Sequence, residues 1–430
     1  MYVKIDNTAY TVISNLQFEP ETDVTGSKVP VNELWVSVKT DDDIALGSRV
    51  SLYDDADTLW AKYWVTYAER EDKYNIRVHG ESALIRIDSV TLDPVMYESD
   101  SVGTVLSQVL SPLNGEYVLD SELANKTLSG YAPKQTARVR LQWICLVIGA
   151  YLKNSFNDRL EILPIDDESQ LIIPLSDTYW KPKVTYNDHV TAIKATYYEY
   201  VQGVPSRTDD YVTIGDRSKG ETEVYYIQTK TEVTLANNQV PSGARENVIT
   251  LDNITLLNEE NVSEVMSFMA KYRFMRTELQ LDAIDNGTYM PGQRVYAFMD
   301  EDTMVEGYIE SCSFSFGLQA KASMHFTAVE VRESAALSIA FTWEGRQVGY
   351  RVFRFPVGYD FEVENPYIDV CSSGHRYVFR PLDKTVSGTM PAEGIIVTQP
   401  VEIALDMFEG KLHVVSVDKY GMVDKTIAIS

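Results

Sequence analysis

The chain has 430 residues, 44% of them hydrophobic and 23% charged, an ordinary balance for a globular protein with room for two to four domains. Against 63 acidic residues stand 38 basic ones, a formal charge of −25, so the surface repels nucleic acid and anionic lipid. Three well-separated cysteines (Cys145, Cys312, Cys371) make no disulfide framework, the longest apolar run (Trp143 to Leu152) is far short of the ~20 residues of a membrane helix, and the start of the chain lacks the pattern of a secretory signal.

Strand signals fill the first ninety-odd residues. Glu33 to Lys39 alternates apolar and polar positions, and Arg49 to Tyr53, Leu59 to Tyr67 and Tyr74 to His79 follow across short acidic turns. Short strands at this spacing predict a sandwich or barrel. The period then changes. Val102, Val105, Leu106, Val109 and Leu110 share one helical face, with Ser99 or Ser101 to cap it and Pro112 to end it. A second helix is expected after Thr136, with Val139, Trp143, Ile144, Val147, Ile148 and Tyr151 on its apolar side.

After Leu160 the alternation returns, with a long aromatic strand over Val190 to Tyr200 and a polar loop or hairpin tip over Gln202 to Glu221. A third helix is expected from about Glu259 to Phe274, facing Val262, Val265, Met266, Met269 and Phe274 inward. Strands resume from Thr277 to Val331. Arg332 to Ser338 is small and polar, as a linker is. Beyond it, prolines at 356, 366, 381, 391 and 400 predict short strands with many turns. Residues 336–430 carry 9 basic and 12 acidic residues, a net of −3, which leaves −22 on the rest and marks the tail as a different kind of domain.

One internal repeat stands out. Gly47, Arg49, Val50, Asp55, Asp57, Thr58 and Tyr63 recur as Gly292, Arg294, Val295, Asp300, Asp302, Thr303 and Tyr308, seven identities at a constant offset of 245 residues. The pattern reads as a hairpin: glycine opens a strand, and the D-x-D-T run supplies the acceptors that close a turn. Two copies of one barrel are expected, the second interrupted by the helical material between them.

No catalytic signature is present: there is no G-x-x-x-x-G-K-[ST], H-E-x-x-H, G-x-S-x-G or G-x-G-x-x-G. Asp41 to Asp43, the group Asp54, Asp55 and Asp57, and Asp166 to Glu168 lack the glycine and terminal glutamate of a calcium loop and read as turn carboxylates. His79, His189, His325, His375 and His413 are scattered, and nothing orients Cys371 and His375 as nucleophile and base. No catalytic, cofactor-binding or metal-ligating residue is therefore assigned. Tyr197-Tyr198-Glu199-Tyr200 offers either a sugar-binding platform or core and interface aromatics.

The order of parts resembles the baseplate hub, or tail-tip hub, of bacteriophage tails and related contractile particles. The stretch Thr136-Ala-Arg-Val-Arg-Leu-Gln-Trp-Ile-Cys-Leu-Val-Ile-Gly-Ala-Tyr151, followed by Leu160-Glu-Ile-Leu-Pro-Ile165, is similar to that family's helix and the strand after it. Met304-Val-Glu-Gly-Tyr-Ile-Glu-Ser-Cys-Ser-Phe-Ser-Phe-Gly317 resembles its penultimate strands. The resemblance implies a mainly β, α+β chain with two homologous tail-tube-like barrels. Its parts would be a first barrel over residues 1–97, a helical or mixed insertion over 98–180 and 203–275, a second barrel split over 181–202 and 276–335, and a β module or modules appended over 336–430.

The resemblance further implies a homotrimer in the virion, made in the bacterial host cytoplasm. Three two-barrel subunits would form a pseudo-sixfold adaptor between a sixfold tail tube and a threefold spike or fibre, with an acidic central channel that lets DNA pass. Its partners would be itself, the tail tube or distal tail protein, the tape measure protein, the central spike or fibre and other baseplate proteins, with no specific nucleic-acid binding, membrane insertion, enzyme activity or cofactor. Two rival readings stand beside it: a tail-associated cell-wall hydrolase, and a carbohydrate- or receptor-binding tail protein.

Overall fold

The structure is a computed structural model. It describes all residues except 24, 26–28, 30, 155–158, 166–170, 174–177, 180–181, 285–288, 299–302, 317–319, 344–345, 357–366, 371–375, 381–400, 405–409, 418–421 and 430.

The first six strands close on themselves. They are β1 (Tyr2–Ile5), β2 (Thr8–Glu19), β3 (Glu33–Lys39), β4 (Arg49–Tyr53), β5 (Leu59–Arg70) and β6 (Asn75–Glu81). A two-residue turn, Asp6-Asn7, joins β1 to β2. Asp6 takes φ +51, which a short polar side chain tolerates, and its carboxylate accepts from the Arg49 N–H at 2.9 Å. The strand order is β1-β4-β5-β6-β3-β2, and β1 also pairs with β2, so the sheet is a closed six-stranded barrel without a free edge.

One side of five of the six barrel strands is apolar and buried: Val3 and Ile5, Leu34, Val36 and Val38, Val50 and Leu52, Ala61, Tyr63 and Val65, Ile76 and Val78. Where the alternation reaches Gly80 there is no room for a side chain, because a Cβ there would lie 2.5 Å from the Val50 methyl.

The chain divides into two compact units, residues 1–167, 183–293 and 308–329 in the first, and 168–182, 294–307 and 330–430 in the second. In the first unit the barrel sheet continues from β2 through Tyr308–Phe316 and residues 320–329 to strands Thr277–Ile284 and Lys183–Tyr186. The join from β2 runs through the pair Phe18↔Phe314 and, just past the end of β2, the antiparallel bridge Glu21↔Ser311. An aromatic layer seals it: Phe18 stacks on Phe314 at 5.6 Å, Trp60 meets Phe314 edge-on at 5.5 Å, and Tyr63 lies 6.2 Å from Phe18.

The expected insertion holds both helices and strands. Helix Val102–Val109 is capped by Ser101, whose hydroxyl accepts from the Thr104 N–H at 3.2 Å. Helix Ala137–Ile148 is capped by Thr136 and ends at Gly149, φ +68. Its buried face is Ala137, Arg140, Leu141, Ile144, Cys145, Leu146 and Ile148, so the expected apolar stripe is displaced: Val139, Trp143 and Val147 are half-buried, and Tyr151 already belongs to strand Ala150–Asn154. The reason is Arg140. It is 2% exposed, yet its guanidinium is absorbed by the Pro133 and Asp93 carbonyls at 2.6 and 3.2 Å.

Helix Val262–Arg273 buries Val262, Val265, Met266 and Met269 as expected, with Tyr272 rather than Phe274 as its last buried residue. It packs on a four-stranded sheet ordered Tyr211–Ile214, Val224–Ala236, Ala192–Gln202, Val248–Leu251. Ala192–Gln202, expected in the second barrel, is a central strand of this sheet, between Val224–Ala236 and Val248–Leu251. Its Ile193 and Ala195 are buried against this helix, not against barrel strands.

In the second unit, Leu171–Ile173 runs parallel to Arg294–Phe298. Arg294 and Glu306 form an ion pair at 2.8 Å with side chains only 16% and 5% exposed. The expected linker Arg332 to Ser338 is instead inside strand Ala320–Trp343: residues from Ser334 ladder with Arg346–Pro356, and from Ser338 also with Gly410–Val417. The stretch holds no glycine or proline to break it, so small residues stay extended. A second, three-stranded sheet of the tail is ordered Tyr367–Val370, Arg376–Arg380, Val401–Ala404.

Candidate functional site

The repeat is the feature with functional content, and both copies fold as hairpins. Gly47 and Gly292 take φ +84 and +92, left-handed conformations that favour glycine. Gly47 N–H donates to the Val65 carbonyl and Gly292 N–H to that of Ile309, both at 2.8 Å. Val65 N–H returns a bond to Ser48, and Ile309 N–H returns one to Gln293. These bonds align Val65 with Ile309, an offset one residue shorter than the ungapped repeat. The return strands are therefore shifted by one, and Tyr63 and Tyr308 are not equivalent, although both are 3% exposed. The first copy takes up extra chain at a bulge, where Leu52 pairs Ala61 but Tyr53 pairs Leu59.

The two glycines also differ in surroundings. A Cβ on Gly47 would meet nothing within 4 Å, whereas one on Gly292 would lie 2.1 Å from the Tyr151 ring. Sequence reasoning placed Tyr151 on a helix and did not pair it with Gly292, because no pattern couples residues so far apart.

The turn of the first copy is closed by Asp54, one residue before the D-x-D run. Its Oδ1 accepts from the N–H groups of Ala56 and Thr58 at 2.9 and 2.8 Å. Burial pushes the Asp54 carboxyl up, but the bonds from Thr58, Trp60 and Ala56 outweigh it and hold it below the usual range. Asp57 takes φ +63 and accepts from the Tyr2 hydroxyl at 2.7 Å. Asp300 and Asp302 lie outside the described residues, as do Asp166 to Glu168, Cys371 and His375.

Asp41 to Asp43 form an exposed turn held by Arg70, which donates to the Asp41 and Asp42 carbonyls and to the Asp43 carboxylate at 2.8 Å. His189 sits 2.9 Å from Arg276 Nη1. His325 lies between two carboxylates on neighbouring strands, Glu310 at 3.3 Å and Glu278 at 3.5 Å. The Glu310 hydrogen bond raises its pKa against a smaller opposing effect of burial.

The tyrosine run does not make a flat platform. Tyr197 packs on the core of the helical face, whereas Tyr198 and Tyr200 point to the opposite side of the sheet. There Tyr198 is 4% exposed and stacks with Tyr200 at 6.5 Å. A cavity of 320 Å³ beside them is lined also by Glu98 and Tyr226, whose hydroxyl donates to Glu98 at 3.1 Å. A wider groove of 590 Å³ lies along helix Val262–Arg273, with Met269, Tyr272, Arg273 and Glu278 in its wall.

No family model matches the sequence, and no curated protein matches it. The fold does have solved counterparts. The chain is similar to the 43 kDa tail protein of prophage MuSo2 from Shewanella oneidensis, with a TM-score of 0.53 at 11% identity over 76% of this chain and 97% of the other. It is similar also to a tail protein from Neisseria meningitidis MC58, with a TM-score of 0.52 at 10% identity over 76% and 95%. At such identities it is the fold that is shared, and the fold is that of phage tail proteins.

Proposed function

We propose that the chain is a structural protein of a phage tail and, within the tail, the trimeric hub that joins the sixfold tube to a threefold spike or fibre. The observation that carries this reading is the hairpin built twice, once in a closed barrel and once at Gly292–Ile309, each opened by a left-handed glycine. A subunit that offers two barrel-like faces gives six such faces when three copies close a ring, which is what a contact with a sixfold tube needs. The likeness to tail proteins supports the coarser part of the reading. The tail tube or distal tail protein, the tape measure protein, the spike or fibre and other baseplate proteins are the partners it entails. The chain acts by assembly and not by turnover, and its place is the virion.

Light scattering on the purified chain tests it. The expected particle is a trimer of 48.6 kDa chains, roughly 146 kDa, with threefold symmetry in particle images. A monomer or dimer at micromolar concentration overturns the hub.

A further inference from the structure

The outer face of the first barrel gathers donors that sequence spacing kept apart. Glu33 on β3 lies directly opposite Glu81 on β6, and His79 is two residues before Glu81 on the same side. One ligand atom from each of the three lies within 4.8 Å of the others. Like charges directly opposite across a ladder are destabilising. Arg77, on the same side of β6, lies with its guanidinium over the Trp35 ring, 4.5 Å from the centroid. Glu81 has no ion pair or side-chain hydrogen bond among the described residues.

The imidazole, by contrast, is held. It stacks on Trp35 at 4.0 Å and 15°, only 12% of its side chain is exposed, and Nδ1 lies 3.2 Å from the Thr66 hydroxyl. Nε2 lies 3.2 Å from Glu33 Oε2. When Nδ1–H donates to Thr66, Nε2 presents its lone pair to the two carboxylates. A ring fixed by a hydrogen bond from its other nitrogen is the usual arrangement behind a metal-bound histidine.

We propose that Glu33, His79 and Glu81 form a binding site for a divalent transition cation of the zinc class. Two carboxylates and one neutral imidazole suit zinc, with donors at about 2.0–2.2 Å, and small rotations of the exposed Glu33 and the half-buried Glu81 bring the three into tetrahedral range. Three protein ligands leave one position open, for water. The cation neutralises the opposed carboxylates and clamps β3 to β6. This runs against the sequence expectation of no metal, because only the β3–β6 register brings these residues together.

Titration calorimetry of the untagged full chain with zinc chloride, paired with thermal unfolding, tests the site. One zinc per chain is expected, with a Tm that rises with zinc concentration. His79→Ala and Glu81→Gln weaken binding at least tenfold and abolish the Tm rise, whereas His325→Ala, in the other histidine–glutamate cluster, leaves both intact. Glu81→Gln without metal has a Tm equal to or above that of the parent, because it removes a like-charge pair. Absence of a binding heat overturns the proposal, as does zinc binding that survives in both His79→Ala and Glu81→Gln, or magnesium binding as tight as zinc.

Discussion

At the residue scale, the two repeat glycines separate backbone strain from crowding. Gly47→Ala imposes only the left-handed conformation on a side-chain-bearing residue, at a cost of about 1–2 kcal/mol. Gly292→Ala imposes the same strain and drives a methyl into Tyr151, which adds roughly 1–3 kcal/mol. Chemical denaturation is expected to show the second variant losing more stability than the first, and Tyr151→Ala to remove the difference. Equal losses would mean that Tyr151 moves aside without cost. Buried Arg140 makes a related point: a charge reads as surface in any periodicity count, and the carbonyls of Pro133 and Asp93 with the Tyr97 hydroxyl make its burial tolerable.

At the scale of elements, three adjacent strands form a charge ladder. His325 on Ala320–Trp343 faces Glu310 on Thr303–Phe316 and Glu278 on Thr277–Ile284. The folded-state pKa of His325 is raised above the ordinary 6.5, first by the Glu310 hydrogen bond. A raised histidine binds its proton more tightly when folded, so its contribution is complete below pH 6.5 and is lost as pH rises through the folded value. Thermal unfolding of the parent and of His325→Gln should therefore differ most near pH 5.5 and converge near pH 9. A difference that is independent of pH would remove the protonated ladder.

The elements themselves were largely legible. Helices starting after Ser101 and Thr136 announced themselves through caps and period, and the barrel strands through alternation. Pairing was not legible. Ala192–Gln202 alternates as any half-buried strand does, and nothing local says that its partners are Val224–Ala236 and Val248–Leu251. The same limit hid the site on the barrel: Glu33 and His79 are neighbours through register alone.

At the scale of the whole molecule, charge sets the conditions of assembly. Three chains of −25 each must come together in the proposed trimer, and their mutual repulsion is long-ranged at low salt. Raising salt from about 0.02 to 0.5 M shrinks the screening length from roughly 20 to 4 Å, so the trimer fraction in light scattering should rise with salt. A fraction that falls instead would point to subunit contacts made of ion pairs.

The aromatic seam between the barrel and its neighbouring sheet has a consequence for cooperativity. Phe18, Trp60 and Phe314 shield one another across a short join of two paired positions. Neither side can open without wetting the rings of the other, so the two unfold as one foldon. A barrel cut out at residue 97 would keep its closed ladder yet expose Phe18 and Trp60 as an adhesive patch. Dissection of this chain therefore has to follow its shared packing, not its hydrogen-bonded boundaries.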